Sequence, residues 1–232
     1  MKFITLTNNG YLDYTRNMIE SLKRIGIHNG PFGEAGPVFE PLKVYCIGEE
    51  CFNKLDYDNK ELLECDASTE FQKFREGDWN KVVVQKFNII HKELMKGNDV
   101  LFSDGDIVWL NNRFQKDIRN RLDDNDMLFQ NDKLDDGDDS ELCSGIMFVK
   151  CNDWNKRVFD PKNIDMNDFE CDQIHFNKIK RHLNYEKLPL KKYPNGSYFQ
   201  TYQRQDSYCI HFNYVVGDQK KDFMKTFDYW YL

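Results

Sequence analysis

Asp104 and Asp106 stand one residue apart in Asn98-Asp99-Val100-Leu101-Phe102-Ser103-Asp104-Gly105-Asp106-Ile107-Val108-Trp109-Leu110. One apolar run leads up to the pair and another leads away. Residues i and i+2 of an extended segment point to the same side, so the two carboxylates can converge on one point. Like charges pressed together at the end of a buried strand are costly unless a cation lies between them. The chemistry on offer is divalent-cation binding. A solvated turn between two strands is the alternative, because Asp and Gly are both common in turns. The tripeptide by itself fits either.

Three further segments carry reactive side chains. In Leu142-Cys143-Ser144-Gly145-Ile146-Met147-Phe148-Val149, three small residues enter an apolar strand, which lets backbone and hydroxyl groups approach a ligand closely. Cys171-Asp172-Gln173-Ile174-His175-Phe176-Asn177 opens a helix with an acid and an amide. His211 to Lys221 supplies a histidine, a turn at Gly217 and the pair Lys220-Lys221 entering a helix. A helix N-terminus with lysines beside it suits a phosphate. Each has a plainer reading when taken alone. His211 could be structural, Lys86, Lys220 and Lys221 solvated, and Asp172 a charge favoured by the helix dipole.

The elements that must position these groups alternate along the chain. Residues 2–7 read as a strand. Residues 11–25 read as a helix with Met18, Ile19, Leu22 and Ile25 on one stripe and Gly26 as its stop. A Gly/Pro-rich loop (29–41) precedes a strand at 43–47. Val83, Phe87, Ile90 and Leu94 mark a helix over 79–96, closed by Gly97. Strands follow at 99–103, 127–130 and 145–150, and helices at 170–181 and 217–227. This alternation predicts one α/β domain over residues 1–232, with a mainly parallel central sheet flanked by helices. Ligands of such sheets bind beyond the carboxyl ends of the strands. Asp104 and Asp106 lie at such an end, as do Thr7, Asn8, Asn9 and Gly10. The acidic stretch Asp132 to Glu141 fails as a calcium loop. With Asp132 first and Gly137 sixth, Leu134 falls third and Cys143 twelfth. It reads as a solvated loop at a site mouth.

Composition narrows the class. The chain has 232 residues, 40% of them hydrophobic and 15% aromatic, enough for a sizeable core. A net charge of −7 argues against non-specific nucleic-acid binding, which needs a basic surface. No stretch has the length of a membrane span and no secretory pattern opens the sequence. The seven cysteines show no C-x-x-C spacing. They read as reduced thiols, several of them core fillers, and a zinc site is not expected.

Together these segments resemble the nucleotide-diphospho-sugar transferases of the GT-A type, over nearly the whole chain. The likeness rests on Thr5 to Tyr11, Lys86, Asp104-Gly105-Asp106, Cys143-Ser144-Gly145, Asp172-Gln173 and His211 to Lys221 in this order. Within that group the chain is most similar to plant cell-wall arabinosyl- and xylosyltransferases and to small glycosyltransferases of large DNA viruses. The resemblance implies a Rossmann-like GT-A domain using Mn²⁺ or Mg²⁺ and a nucleotide sugar, with UDP as the nucleotide. Asp104 and Asp106 match the family's D-x-D, with Asp106 a direct ligand and Asp104 touching ribose and the metal shell. His211 would be the third protein ligand, and mixed carboxylate and imidazole ligation suits Mn²⁺ better than Mg²⁺. Thr7, Asn8 and Tyr11 would hold the nucleoside. Lys86, Lys220 and Lys221 would serve the diphosphate with the Gly217 turn. Ser144 and Gly145 would face the donor sugar, and Asp172 and Gln173 would be the catalytic pair against the reacting sugar. Cys143 departs from the Asn or other small polar residue common in relatives, which leaves the donor sugar open.

The chemistry agrees with these roles. Negative charge grows on a departing diphosphate, and a divalent cation with lysines nearby stabilises it. Alignment of donor and acceptor supplies rate as well. The expectation is transfer to a glycan or glycoprotein acceptor, with retention implied by the family branch, in the cytoplasm, or a host's cytoplasm if the source is viral. Three alternatives remain open. A non-catalytic module would bind a nucleotide sugar or glycan without turnover. A sugar-nucleotide pyrophosphorylase would carry a basic Gly-rich N-terminal loop, whereas Thr5 to Gly10 has one glycine and no Lys or Arg. A glycoside hydrolase would use paired carboxylates without a metal. Trp79, Trp109, Trp154 and Trp230 read as packing residues, with Trp79 and Trp230 also candidate sugar platforms.

Overall fold

The computed structural model describes residues 1–27, 39–72, 76–137, 141–203 and 206–232. Most of the Gly/Pro-rich loop, and Asp138 and Asp139 of the acidic stretch, lie outside the described residues.

In chain order the strands are β1 (Lys2–Thr7), β2 (Lys43–Ile47), β3 (Lys60–Leu63), β4 (Val100–Ser103), β5 (Ile107–Trp109), β6 (Met127–Asn131), β7 (Leu142–Val149), β8 (Tyr185–Leu188) and β9 (Cys209–His211). The helices are α1 (Leu12–Arg24), α2 (Glu49–Lys54), α3 (Trp79–Met95), α4 (Phe114–Arg121), α5 (Asp153–Phe159), α6 (Asp172–Ile179), α7 (Gly196–Tyr202) and α8 (Asp218–Thr226). One sheet has the order β3-β2-β1-β4-β7-β6-β8, and β5 pairs with β9 beside it. The main sheet is mostly parallel, as the alternating pattern predicts, but β7 runs antiparallel to both its neighbours. The start of β7 therefore lies at the same edge as the end of β4. The small residues 143–145, expected to lead into a strand, already belong to it.

Alternation along the central strands builds two cores. Phe3, Leu101 and Leu128 face α1 and α4, while Ile4, Phe102 and Phe129 face α3 and α6. Helix α1 buries Leu12, Met18, Ile19 and Leu22, and Gly26 ends it at φ 79°, a left-handed turn that favours glycine. Helix α3 carries the other core. Phe87 is fully buried and stacks on Phe176 at 5.2 Å between ring centroids. Each such aromatic contributes roughly 1.5–3 kcal/mol through burial, and Phe87→Ala would cost about 3–5 kcal/mol.

A third, smaller core joins the C-terminal segment to the rest. Phe199, Ile210, Phe212 and Met224 pack together, with Phe223, Phe227, Tyr229 and Trp230 against them. The Asn17 amide donates to the Tyr229 carbonyl at 2.9 Å and its oxygen accepts the Tyr231 N–H at 2.6 Å. These contacts fix α8 against α1. Trp109 is buried as expected, but Trp154 stands half exposed on α5 rather than packed. Among the described residues, no helix is long and apolar enough to cross a membrane.

Candidate active site

At the carboxyl edge of the sheet a cleft of about 550 Å³ opens between the ends of β1 and β4, the start of β7 and the first turns of α6 and α8. The volume suits a small-molecule ligand. The β4 strand ends at Ser103, and the Asp104 N–H donates to the Gly145 carbonyl at 2.7 Å, which ties the tripeptide to β7. On the other side the Phe212 N–H donates to the Asp106 carbonyl at 3.2 Å, beside the pairing of Ile107 with His211. Two sheets thus hold the two aspartates and the histidine in one place. Gly105 is required there, since a Cβ would meet the Thr15 hydroxyl at 2.6 Å.

The ligand atoms of Asp104, Asp106 and His211 all lie within 4.8 Å of one another. His211 Nε2 is 3.3 Å from an Asp106 oxygen and 4.0 Å from an Asp104 oxygen. Cis ligands of an octahedral ion with bonds near 2.1 Å are separated by roughly 3 Å. Two carboxylates and an imidazole form a donor set suited to Mn²⁺. The residues present fit a divalent cation.

Two buried lysines complete the charge pattern. Lys86 Nζ sits 2.9 Å from Asp104 and 2.7 Å from Asp172. Lys220 pairs with Asp106. Burial alone would lower both ammonium groups, but the adjacent carboxylates outweigh it and raise them. Burial likewise pushes both aspartates up. At Asp106 the adjacent Lys220 ammonium wins and holds the carboxyl well below its usual range, whereas Asp104 stays raised, with Lys86 opposing and Asp106 adding. Lys220 also lies 5.8 Å from the Tyr11 ring and 5.7 Å from the Tyr14 ring. Its helix begins after Gly217, whose φ of 58° favours glycine and whose carbonyl accepts the Tyr14 hydroxyl at 3.1 Å.

Gly145 has a second reason to be small. A Cβ there would fall 2.1 Å from His211 Cε1, so the Cε1 side of the imidazole packs directly on the bare β7 backbone.

Residues 47–224 match the family described as nucleotide-diphospho-sugar transferase. The chain belongs to that family. A curated relative, the UDP-galactose:fucoside alpha-3-galactosyltransferase of Dictyostelium discoideum, is 24% identical over 292 aligned residues, covering all of this chain and 43% of the relative. The chain thus spans less than half the length of that protein. Among solved structures, a glycosyltransferase involved in glycosylation of the major capsid of PBCV-1 matches with a TM-score of 0.60 at 13% identity, over 97% of this chain and 98% of that one. GlyE of Streptococcus pneumoniae TIGR4 matches at 0.56 and 15%, over 100% and 60%. The galactosyltransferase LgtC matches at 0.55 and 9%, over 91% and 86%. At such identities the likeness is one of fold, and it is the GT-A fold expected from the sequence.

The cleft gathers Thr7, Asn8, Tyr11, Lys86, Asp104, Asp106, Ser144, Gly145, Asp172, Gln173, His211, Gly217 and Lys220. It does not gather Lys221. That side chain points outward to Asp13 at 3.5 Å and over the Trp230 ring, because neighbours on a helix diverge by about 100°. The Lys86 ammonium, expected at the diphosphate, is instead held between two carboxylates. The Asn8 amide, expected at the nucleoside, donates to the Ser68 and Glu70 carbonyls and accepts the Tyr11 N–H. Its amide hydrogens are thus both engaged in docking the 68–70 segment. That segment brings Phe71 to stack on Tyr11 at 5.9 Å, a wall that the sequence does not announce. Burial pushes the Tyr11 hydroxyl up to about 12.

A polar network behind the cleft is also absent from the sequence reading. Asp132 is buried, not solvated, and accepts the Gln173 amide at 2.8 Å and the Asn213 amide at 3.1 Å. Burial raises its carboxyl, with Gln173 opposing. Asp135 and Asp136 are exposed, as expected of the acidic loop. Gln130 shares this hidden layer. The one sequence signal for it is an amide pair, Gln130-Asn131, ending an otherwise apolar strand.

Proposed function

We propose that this chain is a divalent-metal-dependent glycosyltransferase that moves a sugar from a UDP-sugar to a hydroxyl of a glycan or glycoprotein, with retention of configuration. The observation that carries this reading is the convergence of Asp104, Asp106 and His211 with two buried lysines in one cleft of a family member. Asp106, His211 and Asp104 would hold Mn²⁺ or Mg²⁺. When bound, the cation supplies Lewis-acid stabilisation of the leaving diphosphate.

The chain's own residues supply the rest. Tyr11 and Phe71 offer aromatic faces to the nucleoside. Lys220 enters from the first turn of α8, where an ammonium and free N–H groups both favour phosphate oxygens. Lys86 and Asp172 lie together at the inner wall and suit donor-sugar hydroxyls, with Ser144 and Gly145 opposite. Gln173 donates its amide hydrogen to Asp132, so its carbonyl oxygen is the end left to face the sugar as positive charge develops there.

The bases at hand support retention. Lys220 pairs with Asp106 and holds its carboxyl low, which makes it a poor proton acceptor, while the Lys86 ammonium stands between Asp104 and Asp172. The departing diphosphate oxygen is the better base. The anomeric carbon–oxygen bond to phosphate breaks, the acceptor oxygen bonds to the anomeric carbon on the same face, and the acceptor proton passes to the diphosphate. The curated relative's name makes UDP-galactose the first donor to try. Purified protein with Mn²⁺ should hydrolyse or transfer from a UDP-sugar in a donor panel. Asp106→Ala should abolish this, and undiminished transfer by that variant would exclude the metal role. The anomeric coupling in the product's proton NMR spectrum tests retention.

A further inference from the structure

Gln130 is fully buried on β6, yet no substrate role reaches it. Its neighbourhood is built around an irregularity. Phe129 pairs with Met147 but the next residue, Gln130, pairs with Cys143, so Ser144, Gly145 and Ile146 have no partner on β6. Such bulges re-aim side chains beside functional sites. In the space this opens, the Gln130 side chain meets the His211 ring laid over Gly145.

The hydrogen bonds leave one arrangement. Gln130 Nε2 lies 3.1 Å from the Tyr193 carbonyl and 3.1 Å from the Pro194 carbonyl. Carbonyls only accept, so the amide nitrogen must face them. The Gln130 oxygen then faces His211 Nδ1 at 2.6 Å. That oxygen also only accepts, so Nδ1 must carry the proton. In the neutral ring the lone pair is left on Nε2, which is the nitrogen facing Asp104 and Asp106. The Pro194 carbonyl accepts the His211 backbone N–H as well, at 3.1 Å, so one fixed carbonyl aligns both partners.

We propose that Gln130 is a positioning residue that locks His211 in the Nδ1–H tautomer and aims its Nε2 lone pair at the Asp104–Asp106 carboxylates. The proposal rests on the metal-binding reading above for its purpose, but the tautomer can be tested without metal. A lone pair aimed at two carboxylates is unfavourable in itself, and it becomes useful when a cation lies between them. Outer hydrogen bonds of this kind typically change metal affinity 10- to 100-fold.

The test combines spectroscopy with metal binding. In ¹⁵N-histidine-labelled, metal-free protein at a pH where the ring is neutral, long-range ¹H–¹⁵N correlation should show His211 as Nδ1–H, with His211→Asn providing the assignment. An Nε2–H ring in the wild-type protein would overturn the proposal whatever the variants do. Gln130→Met should release the ring to a mixture of tautomers. It should weaken Mn²⁺ binding, followed by electron paramagnetic resonance, by roughly 10- to 100-fold, with metal-free UDP binding unchanged. A folded Gln130→Met protein that keeps both the Nδ1–H ring and wild-type Mn²⁺ affinity would also overturn it. If wild-type protein shows the Nδ1–H ring but binds no Mn²⁺, the metal reading fails and the role of Gln130 in setting the tautomer stands.

Discussion

Gly145→Ala is the smallest change that should disable the site without replacing a ligand. The new Cβ would lie 2.1 Å from His211 Cε1, 2.7 Å from Nδ1 and 2.9 Å from Nε2. Ordinary van der Waals contact needs the ring to retreat by roughly 1.3 Å. It has little room to do so. Its Nδ1 is held by Gln130, its backbone N–H by Pro194, and its strand by β5. Metal–ligand distances tolerate only about 0.2 Å, so a ring displaced by several times that amount no longer ligates. We expect Mn²⁺ affinity and turnover to fall by roughly 10- to 100-fold, with about 1–3 kcal/mol lost in stability from overpacking. The assay is Mn²⁺ titration in the presence of UDP, paired with thermal melting. Ser144→Ala, one residue away, should keep wild-type Mn²⁺ affinity. A folded Gly145→Ala protein that binds Mn²⁺ like wild type would show that the ring can yield, and the argument for Gly145 would fall.

Three other perturbations follow from the same geometry. Lys220→Met should lower kcat by roughly 10²–10³-fold by removing a charge from the leaving diphosphate, while raising the Mn²⁺ affinity of the nucleotide-free protein because Asp106 loses its competing partner; single-turnover kinetics and Mn²⁺ titration read the two effects. Asp132→Ala should free the Gln173 amide and lower kcat by about 10-fold or more with little change in UDP binding; an unchanged kcat would exclude Asp132 as the group that orients Gln173. Far from the cleft, burial would raise the Glu93 carboxyl, but Lys96 at 2.7 Å and the Tyr45 hydroxyl at 2.6 Å outweigh it and hold it at about 2. A depressed carboxyl stabilises fully above its unfolded value and loses that contribution as pH falls through the folded one. About 3 kcal/mol should therefore disappear between about pH 5 and pH 2, and Glu93→Gln should flatten that part of the urea-denaturation profile.

The elements legible in the sequence are those with a strong local period and a glycine stop: α1 before Gly26, α3 before Gly97, and the apolar runs of β1, β2 and β4. The strands of the main sheet that escape reading are β3 and β8, its two edges, where residues such as Lys60, Glu61, Glu186 and Lys187 stand in place of an apolar run. Edges carry charges by necessity, and that erases the pattern. The direction of β7 is invisible because pairing is a long-range fact. The same division runs through the site. Asp104, Asp106, His211 and Lys220 are legible through the order of their segments and the family resemblance, since each alone has a plainer reading. Asp132, Gln130 and Asn213 are not, because nothing within their own segments says that Asp132 will take the Gln173 and Asn213 amides, or that Gln130 will reach His211, behind the cleft. Lys221 shows the converse error: two lysines adjacent in sequence read as a pair, and helix geometry sends them to different partners.

The arrangement of charge constrains how the cleft can work. Asp104, Asp106 and Asp172 face Lys86 and Lys220, so the pocket is close to balanced before any ligand enters. Breaking a buried ion pair by removing one partner costs about 3–5 kcal/mol, which makes each lysine structural as well as functional. The two are not equivalent. Lys86 leaves the middle of α3, packed in the core, and bridges two acids at once, so it has no reason to leave. Lys220 has one acid, Asp106, and stands at the start of a helix whose free N–H groups invite an anion. On the metal-dependent reading, a cation on the Asp106 oxygen that faces His211 competes with Lys220, on the other oxygen, for the charge of one carboxylate whose backbone is fixed between two sheets. Lys220 is then the group freer to change partners, and a diphosphate is the partner that costs it nothing in charge. Cation and nucleotide should therefore bind with positive coupling, and the Lys220→Met protein should lose that coupling while keeping both separate affinities measurable.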